Sequence, residues 1–265
     1  MWPVLLLVFA IFLAIAVAFI RRHIRANIRK MLMVTPFPEE WQEIIDEHVP
    51  IYKRLPDDLK EQLHGLIHIF LCEKKFAGCQ GIEITDEIKV SVAAQACILL
   101  LNRPTRYYPK LKMIYIYPHT YVANQDGVKG ARLGESWQNG PVVLTWDSVE
   151  GGARNIHDGR NVVFHEFSHR LDQEDGDADG APILESRSSY KTWAQVLGKE
   201  YEKLQGKTRS RRRSVLNKYG STNPAEFFAV ATEAFFEKAK QMKKKQPELY
   251  EELKSYYKMD PVEWN

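Results

Sequence analysis

The apolar positions of this chain fall first into one unbroken block and then into stripes of helical spacing. Residues 2–20, from Trp2 to Ile20, carry no charge. Nineteen helical residues span about 28 Å, close to a hydrocarbon core of about 30 Å. Only Met1 precedes the block, and Arg21-Arg22-His23-Ile24-Arg25 follows it, whereas a cleavable signal carries its basic residues in front. The pattern predicts a single transmembrane anchor over 2–20, with the C-terminal side in the cytoplasm by the positive-inside rule. Residues 21–36 read as a basic juxtamembrane linker suited to anionic headgroups. Pro36-Phe37-Pro38 marks entry into a folded domain over 37–265.

Within that domain, Glu39 to His48 has the spacing of a short amphipathic helix. Pro56-Asp57-Asp58 opens a longer one, with Leu59, Leu63, Leu66, Ile67, Phe70 and Leu71 on one face. Gly81 to Thr85 reads as a short strand. Thr85-Asp86-Glu87 caps a helix over Ile88 to Leu101 that is apolar nearly all round and therefore buried. Strands are expected at Lys112 to Tyr117 and Pro141 to Trp146, with a loop between them reaching Gly140. The second strand offers an edge with which an extended peptide could pair. Residues 185–205 form another helix, followed by a polar, basic loop from Gly206 to Ser214, read as solvated or facing the membrane. The fold class is α+β, mostly helical with a small mixed sheet.

Composition narrows the function. Hydrophobic content of 45% and charge of 27% are globular values. The net charge of +3 is concentrated at the start: beyond residue 30 there are 32 basic and 34 acidic residues. The body is therefore slightly acidic, which argues against direct nucleic-acid binding. Cys72, Cys79 and Cys97 make no C-x-x-C pair, so free, buried thiols in a reducing compartment are expected rather than a disulfide framework.

The chemistry centres on Asn161 to Arg170, which contains H-E-x-x-H. On a helix His165 and His169 stand one turn apart on one face and can offer two nitrogens to one metal ion. Glu166 lies beside them, where a carboxylate can take a proton from water. Val162, Val163, Phe164 and Phe167 give the motif the apolar flanks of a buried helix, and Asp158-Gly159 is a plausible start for it. One Zn2+ ion per chain suits this set, given a third ligand and an open position. The third ligand is sought in Asn223-Pro224-Ala225-Glu226, a helix start with Asn223 as cap. Glu226 is either the capping carboxylate or the ligand. Glu233, seven residues on and on the same face, is the alternative ligand or a partner to an imidazole. His64 and His68 repeat the i, i+4 spacing without an intervening Glu and read as packed or solvated histidines. Asp175, Asp177, Asp179 and Gly180 fit the start of a calcium loop, but Ser186 stands where its closing Glu belongs, so an acidic turn is expected.

His165-Glu166-Phe167-Ser168-His169-Arg170-Leu171-Asp172 together with Asn223-Pro224-Ala225-Glu226-Phe227-Phe228-Ala229 resembles the MtfA (Mlc titration factor A) family of zinc metallopeptidases. Glu73 to Phe76, Ala93 to Cys97 and Gly140 to Leu144 fit the same pattern. The second block also resembles the peptidase domain of anthrax lethal factor. The resemblance runs from about residue 37 to the C-terminus. It implies a zincin-like (gluzincin) domain in which His165, His169 and Glu226 bind zinc and Glu166 is the general base. It further implies that Tyr219 donates a hydrogen bond to the developing oxyanion. The activity implied is aminopeptidase-like hydrolysis of a peptide or protein substrate. The family name also implies sequestration of a transcriptional repressor, an alternative in which this is a regulatory binding protein. With the apolar block, the expected location is the bacterial inner membrane, with the catalytic domain cytoplasmic.

Overall fold

The computed structural model describes residues 2–104, 106–119, 121–125, 128–132, 134–136 and 140–264, without the side chains of 3–5, 7–8 and 121–136. Helix α1 spans Trp2–Leu32 and α2 Glu39–His48, and a 3-10 turn at Pro50–Arg54 leads to α3, Asp57–Glu73. Strand β1 (Lys75–Gly78), helix α4 (Asp86–Ile98) and strand β2 (Met113–Tyr117) follow. Strands β3 (Tyr121–Gln125), β4 (Val128–Arg132), β5 (Gly134–Ser136) and β6 (Val142–Thr145) come next, then α5 (Trp146–Arg154) and α6 (Val162–Asp172). Helix α7 covers Arg187–Arg209, and a second 3-10 turn at Lys218–Ser221 precedes α8 (Pro224–Glu237), α9 (Ala239–Lys245) and α10 (Pro247–Tyr257).

The mostly helical reading holds, and the sheet is mixed. Its order is β1-β2-β6-β5; β1, β2 and β6 run parallel, with Phe76 beside Ile114 and Ile114 beside Val142, and β5 closes one side antiparallel to β6. β3 and β4 form a separate antiparallel pair. Parallel strands require a crossover, and α4 supplies it between β1 and β2. Ten of its thirteen residues are buried, as its all-round apolar pattern requires. Thr85 caps it through a bond from Ile88 N at 3.3 Å.

Four expectations shift. The first strand forms at Lys75–Gly78 rather than 81–85, because Lys75–Gly78 pairs with β2 while Gly81 turns the chain at φ +83°. The presumed loop before Gly140 contains β3, β4 and β5. As a result β6 has both edges occupied and cannot receive a peptide strand; the outer edge belongs to β5. Helix α7 continues to Arg209, so part of the basic loop is helical. Of the three free cysteines only Cys97 is buried.

α1 runs unbroken from the apolar block through the basic segment that the sequence suggested as a linker. Its end docks on α3. Arg29 Nε and Nη2 donate to Glu73 Oε1 and Oε2 at 2.7 and 2.9 Å. Met33 sits so close to Gly65 that a Cβ there would lie 2.8 Å from Met33 Cα. His64 and His68 are absorbed by packing: Phe37 stacks on His64 at 4.0 Å, and His68 Nε2 lies 3.2 Å from Pro36 O. Described side chains such as Phe9, Phe12 and Phe19 are exposed. Among the described residues, no helix is long and apolar enough to cross a membrane.

Candidate metal centre

The helix that carries H-E-x-x-H is fixed by its cap and its apolar face. Asn161, rather than Asp158-Gly159, caps α6: its Oδ1 accepts from Phe164 N at 2.9 Å and its Nδ2 donates to Gln95 Oε1 at 2.9 Å. Val163, Phe164 and Phe167 are fully buried, each contributing about 1.5–3 kcal/mol. That burial turns His165, Glu166 and His169 toward α8.

α8 starts as its sequence indicates, with Asn223 Oδ1 accepting from Glu226 N at 2.9 Å and Pro224 in the first turn. The Glu226 side chain does not close a capping box. Its Oε2 lies 2.9 Å from His165 Nε2 and 3.5 Å from His169 Nε2, without hydrogen-bond geometry to either. The two imidazole Nε2 atoms are 3.3 Å apart. Glu233 stands on the other side of the His165 ring, with Oε1 2.6 Å from Nδ1, and its Oε2 accepts from Asn161 N at 3.0 Å. A carboxylate can only accept here, so Nδ1 carries a proton, and the neutral form of His165, the one a metal ion would bind, presents the Nε2 lone pair. In that form three electron-rich atoms face one another.

The electrostatics follow from that crowding. Burial opposes a charge on His165, yet Glu226 and Glu233 outweigh it and raise its pKa well above the usual value. Burial likewise works against ionised Glu226, but the two imidazoles hold it down to about 2. Glu166 is pushed up to about 7, chiefly by burial, with His165 opposing and Glu226 and Glu233 adding to the rise. Its Oε2 is buried and has no hydrogen-bond partner among the described residues. Tyr219 stands 55% exposed on the 3-10 turn, its ring centroid 5.9 Å from that of His165. Asn217 Oδ1 fixes the turn by accepting from Tyr219 N at 3.0 Å.

A cation between the three facing atoms would relieve their repulsion. His165, His169 and Glu226 offer ligand atoms all within 4.8 Å of one another, and a His2Glu set with a buried, unbonded carboxylate oxygen fits zinc. His48, Glu87 and Glu150 meet the same spacing, a grouping the sequence did not suggest because three helices bring it together. It is half-buried throughout, and the carboxylate beside it, Glu47, 3.9 Å from His48 Nε2, is exposed rather than buried as Glu166 is. His64 and His68 join no such grouping among the described residues.

The acidic turn after α6 has a structural part that sequence reasoning missed. Asp172 Oδ2 accepts from Gly180 N at 3.1 Å, and Trp193 Nε1 donates to Gly180 O at 2.9 Å. Gly180 has φ +79°, and a Cβ on it would lie 2.4 Å from Pro224 O. This contact seats the start of α8 against the end of α6.

The model of a family described as glucose-regulated metallo-peptidase M90 matches residues 21–258. An uncharacterized protein of Synechocystis, slr2042, is 37% identical over 243 residues, 88% of each chain. Mlc titration factor A of Klebsiella pneumoniae is 27% identical over 235 residues, 84% of this chain and 87% of that one. The protein of that name from Cronobacter sakazakii is 26% identical over 237 residues, 85% and 88% of the two chains.

Proposed function

The chain belongs to the glucose-regulated metallopeptidase M90 family, and from that premise we propose that it is a zinc-dependent peptidase tethered to a membrane. The observation that carries the reading is the convergence of His165, His169 and Glu226 beside a buried, unpaired Glu166.

In this reading His165, His169 and Glu226 hold one zinc ion. When bound, zinc supplies a Lewis acid for the scissile carbonyl and lowers the pKa of water. Glu166 takes the proton of the attacking water and delivers it to the leaving amine. The Tyr219 hydroxyl donates to the oxyanion as it develops. Its ring already stands beside that of His165. Glu233 keeps His165 in the tautomer that presents Nε2. Among the described residues no strand pairs with the outer edge of β5, where an extended peptide could align.

Glu166→Gln should retain zinc and lose peptide hydrolysis, while a chelator should remove both from the wild-type chain. An active Glu166→Gln variant would sink the base assignment. Aminopeptidase-like cleavage rests on the family resemblance, and it predicts that acetylating a peptide's N-terminus abolishes turnover. Anchoring through residues 2–20 is supported by their uncharged sequence and the exposed apolar side chains of α1. The positive-inside rule places the catalytic domain in the cytoplasm. Extraction of the full chain by alkaline carbonate without detergent would overturn the anchor.

The relatives' name, Mlc titration factor A, favours a second reading in which this domain captures a regulatory protein. Persistence of the cellular phenotype in Glu166→Gln would favour capture over catalysis.

A further inference from the structure

One stretch of strong charge is not used by the metal centre. Residues 203–225 hold seven basic residues and no acidic one. Lys203 pairs with Glu200. Lys207, Arg209, Arg211, Arg212, Arg213 and Lys218 make no ion pair among the described residues, and all but Lys207 are exposed. Two of them have a local explanation: Lys207 and Arg209 lie in the last turn of α7, where cations complement the helix dipole. Arg211, Arg212, Arg213 and Lys218 lie beyond that turn.

The stretch is ordered by its backbone. Arg212 N donates to Lys207 O at 2.9 Å and Arg211 N to Thr208 O at 3.2 Å, the two bonds of a Schellman closure. Arg211 occupies its left-handed position, at φ +53°. Glycine fits there without strain, and a side chain costs on the order of 1 kcal/mol. Arginine stands there nonetheless, at the centre of an unpaired basic group, and strain retained at an exposed position points to use.

The position of the stretch suggests the use. Its last basic residue is Lys218, adjacent to Tyr219, whose ring neighbours that of His165. α7 packs on α8, α10 and the Tyr219 turn, whereas α1 docks on α3. Lys218 therefore borders the metal centre, and Arg211 to Arg213 lie in the short link that joins the end of α7 to it.

We propose that Arg211, Arg212, Arg213 and Lys218 form a bank that captures acidic segments of peptide and guides them to the metal centre. The substrate class named in this way rests on the peptidase reading above. Opposite charge along the approach raises the association rate and is weakened by salt.

The test uses the full chain in detergent carrying Glu166→Gln, with fluorescence anisotropy of a labelled peptide bearing three Asp or Glu residues and of its Asn/Gln counterpart. The acidic peptide should bind about tenfold more tightly, as several exposed ion pairs together allow. That preference should vanish at 1 M salt, on the order of a 3 Å screening length, and in a variant with Arg211→Glu, Arg212→Glu and Arg213→Glu. An equal affinity for both peptides, or a preference that survives the triple change, overturns the proposal. So does a triple variant that loses only its binding to anionic vesicles, which would make the run a lipid contact. The two readings fail separately. Wild-type chain that cleaves both peptides equally sinks the bank alone, while acid-selective binding without cleavage of any peptide sinks the peptidase and leaves the bank.

Discussion

At His165 one ring is shared between two carboxylates with different tasks. Glu233 fixes the proton on Nδ1, and Glu226 faces Nε2. Loss of a direct ligand should cost more metal than loss of its partner. Glu226→Ala is therefore expected to emerge from dialysis without zinc, and Glu233→Ala to bind it about 10- to 100-fold more weakly. The reverse order in a metal assay would make Glu233 the ligand. Both residues lie seven apart on one face of α8, so spacing alone could not choose between them; the choice depends on which oxygen meets which nitrogen across two helices. Glu237, one turn further along α8, gives a separate prediction. Burial first, and then the charge of Glu233, raise its carboxyl to about 8. The folded chain thus keeps a proton that the unfolded chain releases. Stability should fall as pH rises from about 4.5 to about 8, by on the order of a few kcal/mol. Glu237→Gln should flatten that slope and stabilise the protein most at the alkaline end, measured by urea unfolding across the range.

At the scale of elements, helices were legible where a cap and an apolar stripe agreed. Glu39–His48 forms as read, and Thr85 and Asn223 cap as read. Strands were less legible, because β1 and β5 are each defined by the neighbour they pair with rather than by their own pattern. Asn161 could be seen as part of the motif but not as a junction of α6, Gln95 and Glu233. Asn161→Ala should cost about 2 kcal/mol, against about 1 kcal/mol for the exposed cap change Asn223→Ala, since buried bonds are lost along with the cap. Denaturant midpoints of the two variants check the order. Gly180 was read from sequence only as part of an acidic turn. Its role depends on Pro224, 44 residues away in the chain, and no local rule reaches that far. Gly180→Ala should lower both stability and zinc occupancy, because its Cβ would push α8 from α6. Unchanged zinc content in a folded Gly180→Ala chain would show that the contact does not set the ligand spacing.

For the molecule as a whole, charge bookkeeping located the basic start and the near-neutral body, and the apolar block set the tether proposal. How α1 meets the body could not be read in advance, since Gly65, Arg29 and Glu73 look ordinary in one dimension. Removing the carboxylate by Glu73→Ala should loosen the joint and speed proteolytic cutting near Thr35, while leaving peptide hydrolysis close to wild type. An unchanged cleavage pattern would mean that the apolar contacts around Met33 hold the joint alone. A helix of 31 residues is about 46 Å long, and α1 is clamped at its far end by that ion pair and by Met33. Seated in a bilayer, such a rod would pass its lean on to the enzyme. A thinner bilayer would incline it and a thicker one would raise it, so the lipid around such an anchor would set how far from its surface the metal centre can reach.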